Sequence, residues 1–205
     1  MQNPSLYLAS QSPRRRELLA QVGVTFDVIS SSVQEQRQMH ESPERYVQRL
    51  AKDKALAGQA VAVDQSLPVL GADTIVVKGQ NVLEKPLSEQ HACDMLMVLS
   101  GGDHQVMSAI CICRGDEIET RLSITRVSFR DIGQAEAQRY WKTGEPLDKA
   151  GGYAIQGLGA LFVTALEGSY SNVVGLPLEQ LYGLLQRFAI PYWQILRLTE
   201  DDRSP

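Results

Sequence analysis

The sequence predicts an α/β protein with a central sheet, and two observations lead there. Apolar runs of strand length alternate with amphipathic stretches of helix length along most of the chain. The 205 residues, 43% hydrophobic and 21% charged, contain no Ser/Pro-rich spacer, repeat or low-complexity stretch that would divide them. Residues 1–205 therefore read as a single domain, with residues 199–205 frayed.

A strand at about 5–9 opens the chain and runs into Ser10-Gln11-Ser12-Pro13-Arg14-Arg15-Arg16. Ser12 is a suitable N-cap and Pro13 a suitable first residue for a helix over 13–22, closed by Gly23. Three cations thus occupy the first helical turn, where each is unfavourable by up to ~1 kcal/mol against the positive end of the helix dipole. A bound anion reverses that sign, so Ser10 and the arginines around the turn suit a phosphate, although three consecutive arginines cannot all address one ligand. Residues 25–29 return as a second strand. Ser42 and Pro43 start a helix to Gly58 whose apolar stripe is Val47, Leu50, Ala51 and Ala55. Lys54 lies on that stripe, where it either snorkels or reaches into a cleft beneath the helix; Lys52 points away.

Residues 69–77 are apolar enough for a strand covered on both faces, and Asp73 interrupts them. Burying an unpaired carboxylate costs several kcal/mol, so Asp73 must meet a cation, a metal or backbone donors. A turn at 78–81 leads to Val82-Leu83-Glu84-Lys85-Pro86, where Pro86 ends the pairing and leaves Lys85 near a strand end as a candidate partner for Asp73. Ser88 caps a helix with Ala92, Met95, Leu96 and Leu99 on one face, stopped by Gly101-Gly102. Strands at about 104–113 and 117–129 form a hairpin through Arg114-Gly115-Asp116, and a helix at about 133–142 ends at Gly144. Residues 145–159 break any regular period, and their glycines, set near polar groups, predict backbone approaching a ligand. Leu161-Phe162-Val163 and residues 170–174 predict a closing pair of strands, Pro177 starts a helix to Phe188, and residues 191–198 add an edge strand.

Composition excludes several classes of function. Cys93, Cys111 and Cys113 are an odd set lying in helical and strand patterns, and His40, His91 and His104 are scattered, so core packing accounts for the cysteines better than disulfides or zinc. A net charge of −4 without basic–aromatic interleaving leaves little attraction for nucleic acid, whereas a small phosphorylated ligand needs only a local cluster. No stretch approaches ~18 apolar residues and the N-terminus lacks a signal pattern, which predicts a cytoplasmic protein without a membrane partner. Neither a Gly-x-Ser-x-Gly elbow nor a P-loop is present, which argues against a serine nucleophile and a P-loop ATPase.

Five motifs occur in order: Ser10-Gln11-Ser12-Pro13-Arg14-Arg15, Gly71-Ala72-Asp73-Thr74, Glu84-Lys85-Pro86, Asp148-Lys149-Ala150-Gly151 through Ile155-Gln156-Gly157, and Asn172-Val173-Val174-Gly175-Leu176-Pro177. With them the chain resembles the Maf family of nucleoside triphosphate pyrophosphatases from about Leu6 to Phe188. The resemblance implies an elongated mixed sheet flanked by helices, with two lobes around a cleft, as in inosine triphosphatase-like proteins. It also implies a homodimer that hydrolyses a nucleoside triphosphate to the monophosphate and pyrophosphate with a divalent cation, Mg²⁺ or Mn²⁺. Arg14, Thr74 and Gln156 resemble the subgroup acting on dTTP and UTP, with a housecleaning role among those ascribed to the family. A glutamine, Gln34, stands where the family often has the first member of an acidic pair, so a metal role of that pair falls to Glu35.

Hydrolysis of a triphosphate needs its negative charge neutralised more than it needs covalent help. Ser10, Arg14 and Arg15 are expected to hold the phosphate tail, and Lys54 and Lys85 to stabilise charge at the α-phosphate and the departing pyrophosphate. Asp73 either deprotonates the attacking water or holds, with Glu35, the cation that acidifies it. Thr74 and Gln156 can donate and accept hydrogen bonds, which suits reading a pyrimidine edge. The alternative is a regulatory nucleotide- or protein-binding module linked to septum formation, with little turnover.

Overall fold

The structure, a computed structural model, describes residues 3–30 and 32–194. Among these residues seven strands form one mixed sheet: β1 (Leu6–Ala9), β2 (Phe26–Val28), β3 (Val69–Lys78), β4 (Asn81–Leu83), β5 (Asp103–Arg114), β6 (Glu117–Phe129) and β7 (Val163–Glu167). The order is β2-β1-β3-β5-β6-β7, with β4 paired to β3. β1 is parallel to both β2 and β3, and all other pairings are antiparallel. Among the described residues six α-helices cover the sheet: α1 (Pro13–Gln21), α2 (Pro43–Val61), α3 (Glu89–Leu99), α4 (Gln134–Trp141), α5 (Tyr170–Val174) and α6 (Leu178–Arg187).

The long strands β3, β5 and β6 carry different cores at their two ends. At one end, Leu70, Ala72, Ile110 and Ile112 pack with α1 and α6 on one face of the sheet, while Val69, Ala109 and Cys111 pack under α2 on the other. At the far end, Val76, Val106 and Val127 join α3, α4, Tyr153 and Phe162 in a separate core. The molecule thus has two lobes, and the strands that run through both place a cleft between them.

One edge of β3 is shared by two short strands. β1 pairs with Val69–Gly71 and β4 with Val76–Lys78, so Ala72 to Ile75 on that edge face the opening where β1 ends and its chain turns away into α1. Diverging chains at the carboxyl end of a parallel strand leave the crevice in which α/β sheets bind ligands. Asp73 and Thr74 occupy that gap. Being adjacent in a strand they point to opposite faces, Asp73 toward α2 and Thr74 toward α1 and α5.

Local signals placed most elements well. Ser42 and Ser88 cap α2 and α3 by accepting the N–H groups of Arg45 and His91. All three cysteines are free and buried. α2 continues past Gly58 to Val61, because that glycine serves close packing instead of ending the helix: a Cβ there would lie 2.8 Å from the Ala9 Cβ. Ser12 occupies the N-cap position of α1 but makes no side-chain cap; its own N–H donates to the Ser10 hydroxyl.

Two expectations fail in the last third of the chain. Residues 170–174 are the helix α5, not a strand, since Ser169 caps it through the Asn172 N–H and Asn172 is drawn into a buried hydrogen-bond network. Leu161 and Phe162 belong to a 3-10 turn (Leu158–Phe162), and the strand that follows it pairs with β6. Of the expected edge strand at 191–198, residues 191–194 form no regular strand, although the Trp193 and Gln194 N–H groups donate to the Val22 and Gly23 carbonyls. Its remainder and the tail 199–205 lie outside the described residues.

Candidate active site

A cavity of about 530 Å³ fills the cleft, lined by residues 9–15, Glu35, one side of α2, β3 from Asp73 to Val76, the segment after β4, residues 148–150 and 153–156, and residues 173–175. Every expected site residue is on its wall: Ser10, Arg14, Arg15, Glu35, Lys54, Asp73, Thr74, Lys85 and Gln156.

Asp73 is 6% exposed and receives Lys54 Nζ at 2.6 Å on Oδ1. The approach of α2 that permits this contact depends on Gly71, two residues earlier on the same strand face, where a Cβ would sit 2.5 Å from the Ala55 nitrogen. Lys54 therefore reaches into the cleft. The same ammonium meets Glu35 Oε1 at 2.5 Å, and Lys85 meets Glu35 Oε2 at 3.2 Å. Asp73 is thus partnered by Lys54; Lys85 joins the cluster through Glu35.

The two carboxylates are driven apart in acidity. Burial pushes the Asp73 carboxyl above its ordinary range, against the pull of Lys54 and Arg15. Burial also disfavours the Glu35 charge, but the hydrogen bonds and charges of Lys54 and Lys85 prevail and hold that carboxyl below its ordinary range. Opposed environments of this kind give two neighbouring carboxyls different affinities for a proton.

Arg15 works mainly inside the wall. Its Nε donates to the Gly175 carbonyl at 2.8 Å, Nη1 to Ser10 Oγ at 3.1 Å and Nη2 to Thr74 Oγ1 at 3.1 Å. Three of the five N–H donors that a guanidinium carries are therefore committed, and they tie the β1–α1 turn, β3 and the end of α5 together. Arg16 turns away, bonding the Gln11 carbonyl and amide oxygens.

The glycines of residues 145–159 approach protein, and no ligand contact is needed to explain them. Gly151, at φ +69°, lies against Val76, while Gly157 and Gly159 face Glu145 and Tyr140. Glu145 accepts Tyr140 O–H and the N–H groups of Leu158 and Gly159. That cradle shapes the loop from which Gln156 lines the cavity.

Some site residues had no assigned part in the sequence reading. Lys149 and its ion-pair partner Asp148 line the cavity, and Tyr46 donates to Glu84 at 3.0 Å while the Gly151 N–H donates to the Glu84 carbonyl, fixing the segment that carries Lys85. Asn172, fully buried, accepts the Ser108 N–H and donates to the Val106 carbonyl and Thr125 Oγ1. The signal that singled out Asp73, a polar residue inside an apolar run, also marks Ser108, whereas Asn172 follows a polar stretch and carries no such signal.

A family model described as "Maf-like protein" matches residues 5–188. A protein of Saccharophagus degradans named "dTTP/UTP pyrophosphatase" is 59% identical over 193 residues, covering 93% of this chain and 92% of its own. Proteins of the same name from Shigella sonnei and Escherichia coli O157:H7 are each 54% identical over 184 residues, covering 90% of this chain and 93% of theirs. Among solved structures, that of the Staphylococcus aureus Ham1 protein aligns with a TM-score of 0.49 at 12% identity, over 90% of this chain and 97% of that one.

Proposed function

This chain belongs to the Maf-like protein family, and from that premise we propose that it is a nucleoside triphosphate pyrophosphatase acting on dTTP and UTP. The observation that carries the reading is the convergence on one cavity of Asp73, Lys54, Lys85, Arg14 and Arg15, which come from separate segments of the chain. Relatives named for that activity, matched over more than nine-tenths of their own length, support it.

In this reading a water attacks the α-phosphorus and gives its proton to Asp73, whose raised pKa suits a base better than an ordinary aspartate. The bond between the α-phosphorus and the α–β bridging oxygen breaks, and its electron pair leaves on pyrophosphate. Lys54 and Lys85 balance the charge that develops, and Arg14 with the Ser10 turn grips the phosphate tail. Arg15 holds that turn and Thr74 in place while its charge stays at the wall. Thr74 and Gln156 read the pyrimidine.

The donor chemistry fits a hard divalent cation. Glu35 and Asp73 reach one ammonium group, and Mg²⁺ is commonly held by one or two carboxylates with substrate phosphates and water filling its other positions. Among the described residues no group of three or more His, Cys, Asp or Glu stands ready to hold a metal unaided. Glu35, the carboxyl held ionised, would hold Mg²⁺ or Mn²⁺ together with the nucleotide, leaving Asp73 as the proton acceptor; the bound cation would supply neutralisation of phosphate charge and acidification of water.

The reading also takes the protein to be a cytoplasmic homodimer, a state that sedimentation equilibrium tests. Among the described residues no helix is long and apolar enough to cross a membrane. The deciding assay is product identity: dTTP or UTP with Mg²⁺ or Mn²⁺ is expected to yield monophosphate and pyrophosphate. Release of orthophosphate alone, or saturable binding without turnover, refutes the reading.

A further inference from the structure

A run of hydroxyl groups behind the cavity fixes which way a hydrogen bond can point. Thr74 and Ser108 are directly opposed across β3 and β5, with their oxygens 2.8 Å apart. Ser108, fully buried, gives its single hydroxyl proton to the Asn172 carbonyl at 2.8 Å, an acceptor that can do nothing but accept. The Thr74–Ser108 bond therefore has to be donated by Thr74. Arg15 Nη2 donates into the same threonine oxygen, occupying one of its lone pairs. Thr74 lines the cavity, and with its proton committed it offers a ligand one remaining lone pair.

We infer that Ser108 is a positioning residue for base selection: it makes Thr74 an obligate acceptor, matched to the imide N–H of uracil or thymine and mismatched to the unprotonated ring nitrogen at the same place in cytosine. The inference deepens the reading above and rests on it. Asn172 completes the device, since its side chain holds the Ser108 N–H while its carbonyl takes the Ser108 proton. Ser108→Ala releases the Thr74 proton, and the hydroxyl can then turn and donate. A site built around one hydrogen-bond polarity loses discrimination when that polarity is freed.

The test compares UTP with CTP on the wild-type protein, Ser108→Ala, Thr74→Val and the double variant, reading both Kd by calorimetry and pyrophosphate release. Wild-type protein is expected to prefer UTP, and Ser108→Ala to shrink the UTP:CTP preference about tenfold. The effect of Ser108→Ala on that ratio is expected to vanish in the Thr74→Val background, where no hydroxyl is left to reorient. Ser108→Cys, similar in size with a weakly accepting sulfur, is expected to shift the ratio in the same direction and serves if Ser108→Ala does not fold. Equal losses on both nucleotides, a ratio change that persists with Val at position 74, or a wild type indifferent to the two bases overturns the inference. Binding that follows the expected pattern without pyrophosphate release overturns the enzymatic reading alone.

Discussion

Lys54→Met tests the electrostatic centre of the cavity. Lys54 is the shared cation of Asp73 and Glu35, at 2.6 and 2.5 Å, and its side chain is 12% exposed against 9% for that of Asp73. Methionine keeps the packing under α2 and deletes the charge. Removing one member of a buried pair costs about 3–5 kcal/mol, because the partner stays behind uncompensated. Part of this loss is relieved when Asp73 takes up a proton, so the deficit depends on pH. The Asp73 carboxyl already lies above its unfolded value and rises further without Lys54, so the folded state binds the extra proton and stability falls as pH rises through that window. Glu35 widens the deficit in the same direction, although its own pH dependence is the reverse. Its folded pKa is depressed, so the stability it contributes is present above the unfolded carboxylate value, and that contribution shrinks when Lys54 goes. Urea denaturation at pH 7.5 is expected to show a loss of about 3 kcal/mol that narrows on acidification toward pH 5, each unit of pKa difference being worth about 1.4 kcal/mol. Adding Asp73→Asn is expected to restore much of the loss at neutral pH. A deficit under about 1 kcal/mol, or one constant with pH, would refute the claim that a buried ion pair anchors the site.

Three further outcomes follow from the same geometry. Asp73→Asn is expected to lower kcat for dTTP by about 10²–10⁴-fold while nucleotide binding survives, as isothermal calorimetry beside a pyrophosphate assay would read; near-normal turnover removes Asp73 from the chemistry. The acid limb of the kcat/KM profile is expected above the ordinary aspartate value of about 3.9, because the active base is the ionised form of a carboxyl raised by burial; a limb at or below that value contradicts the assignment. Gln156→Ala is expected to change the ratio of dTTP to other nucleotides about tenfold in kcat/KM with little change in thermal midpoint, since Gln156 is exposed at the cavity wall; equal losses on every nucleotide argue against base reading.

Much of the site was legible because its signals are local. Asp73 stands out as a carboxylate in an apolar strand, Lys54 as a cation on an apolar helical stripe, and the arginines as charges of the wrong sign at a helix start. Each is a conflict between a residue and its immediate pattern, visible without knowing what lies across the cleft. The misreadings share the opposite cause. Gly58 looked like a helix stop because its packing partners, Ala9 and Val69, are distant in sequence. Residues 170–174 read as a strand because the pattern does not reveal that Asn172 bonds Val106 and Thr125.

The chain on its own determined the alternation of strands and helices, the caps of α2 and α3, and the set of charged groups that a phosphate chemistry needs, since each follows from the chemistry of a few neighbouring residues. Tertiary structure alone decided that Asp73 pairs with Lys54, with Lys85 one carboxylate further away, that β1 and β4 leave a gap along β3, and that Ser108 directs the Thr74 proton. Those outcomes depend on strand register and on contacts between residues tens of positions apart, and a hydrogen bond takes its direction from whichever partner the folded chain brings within reach.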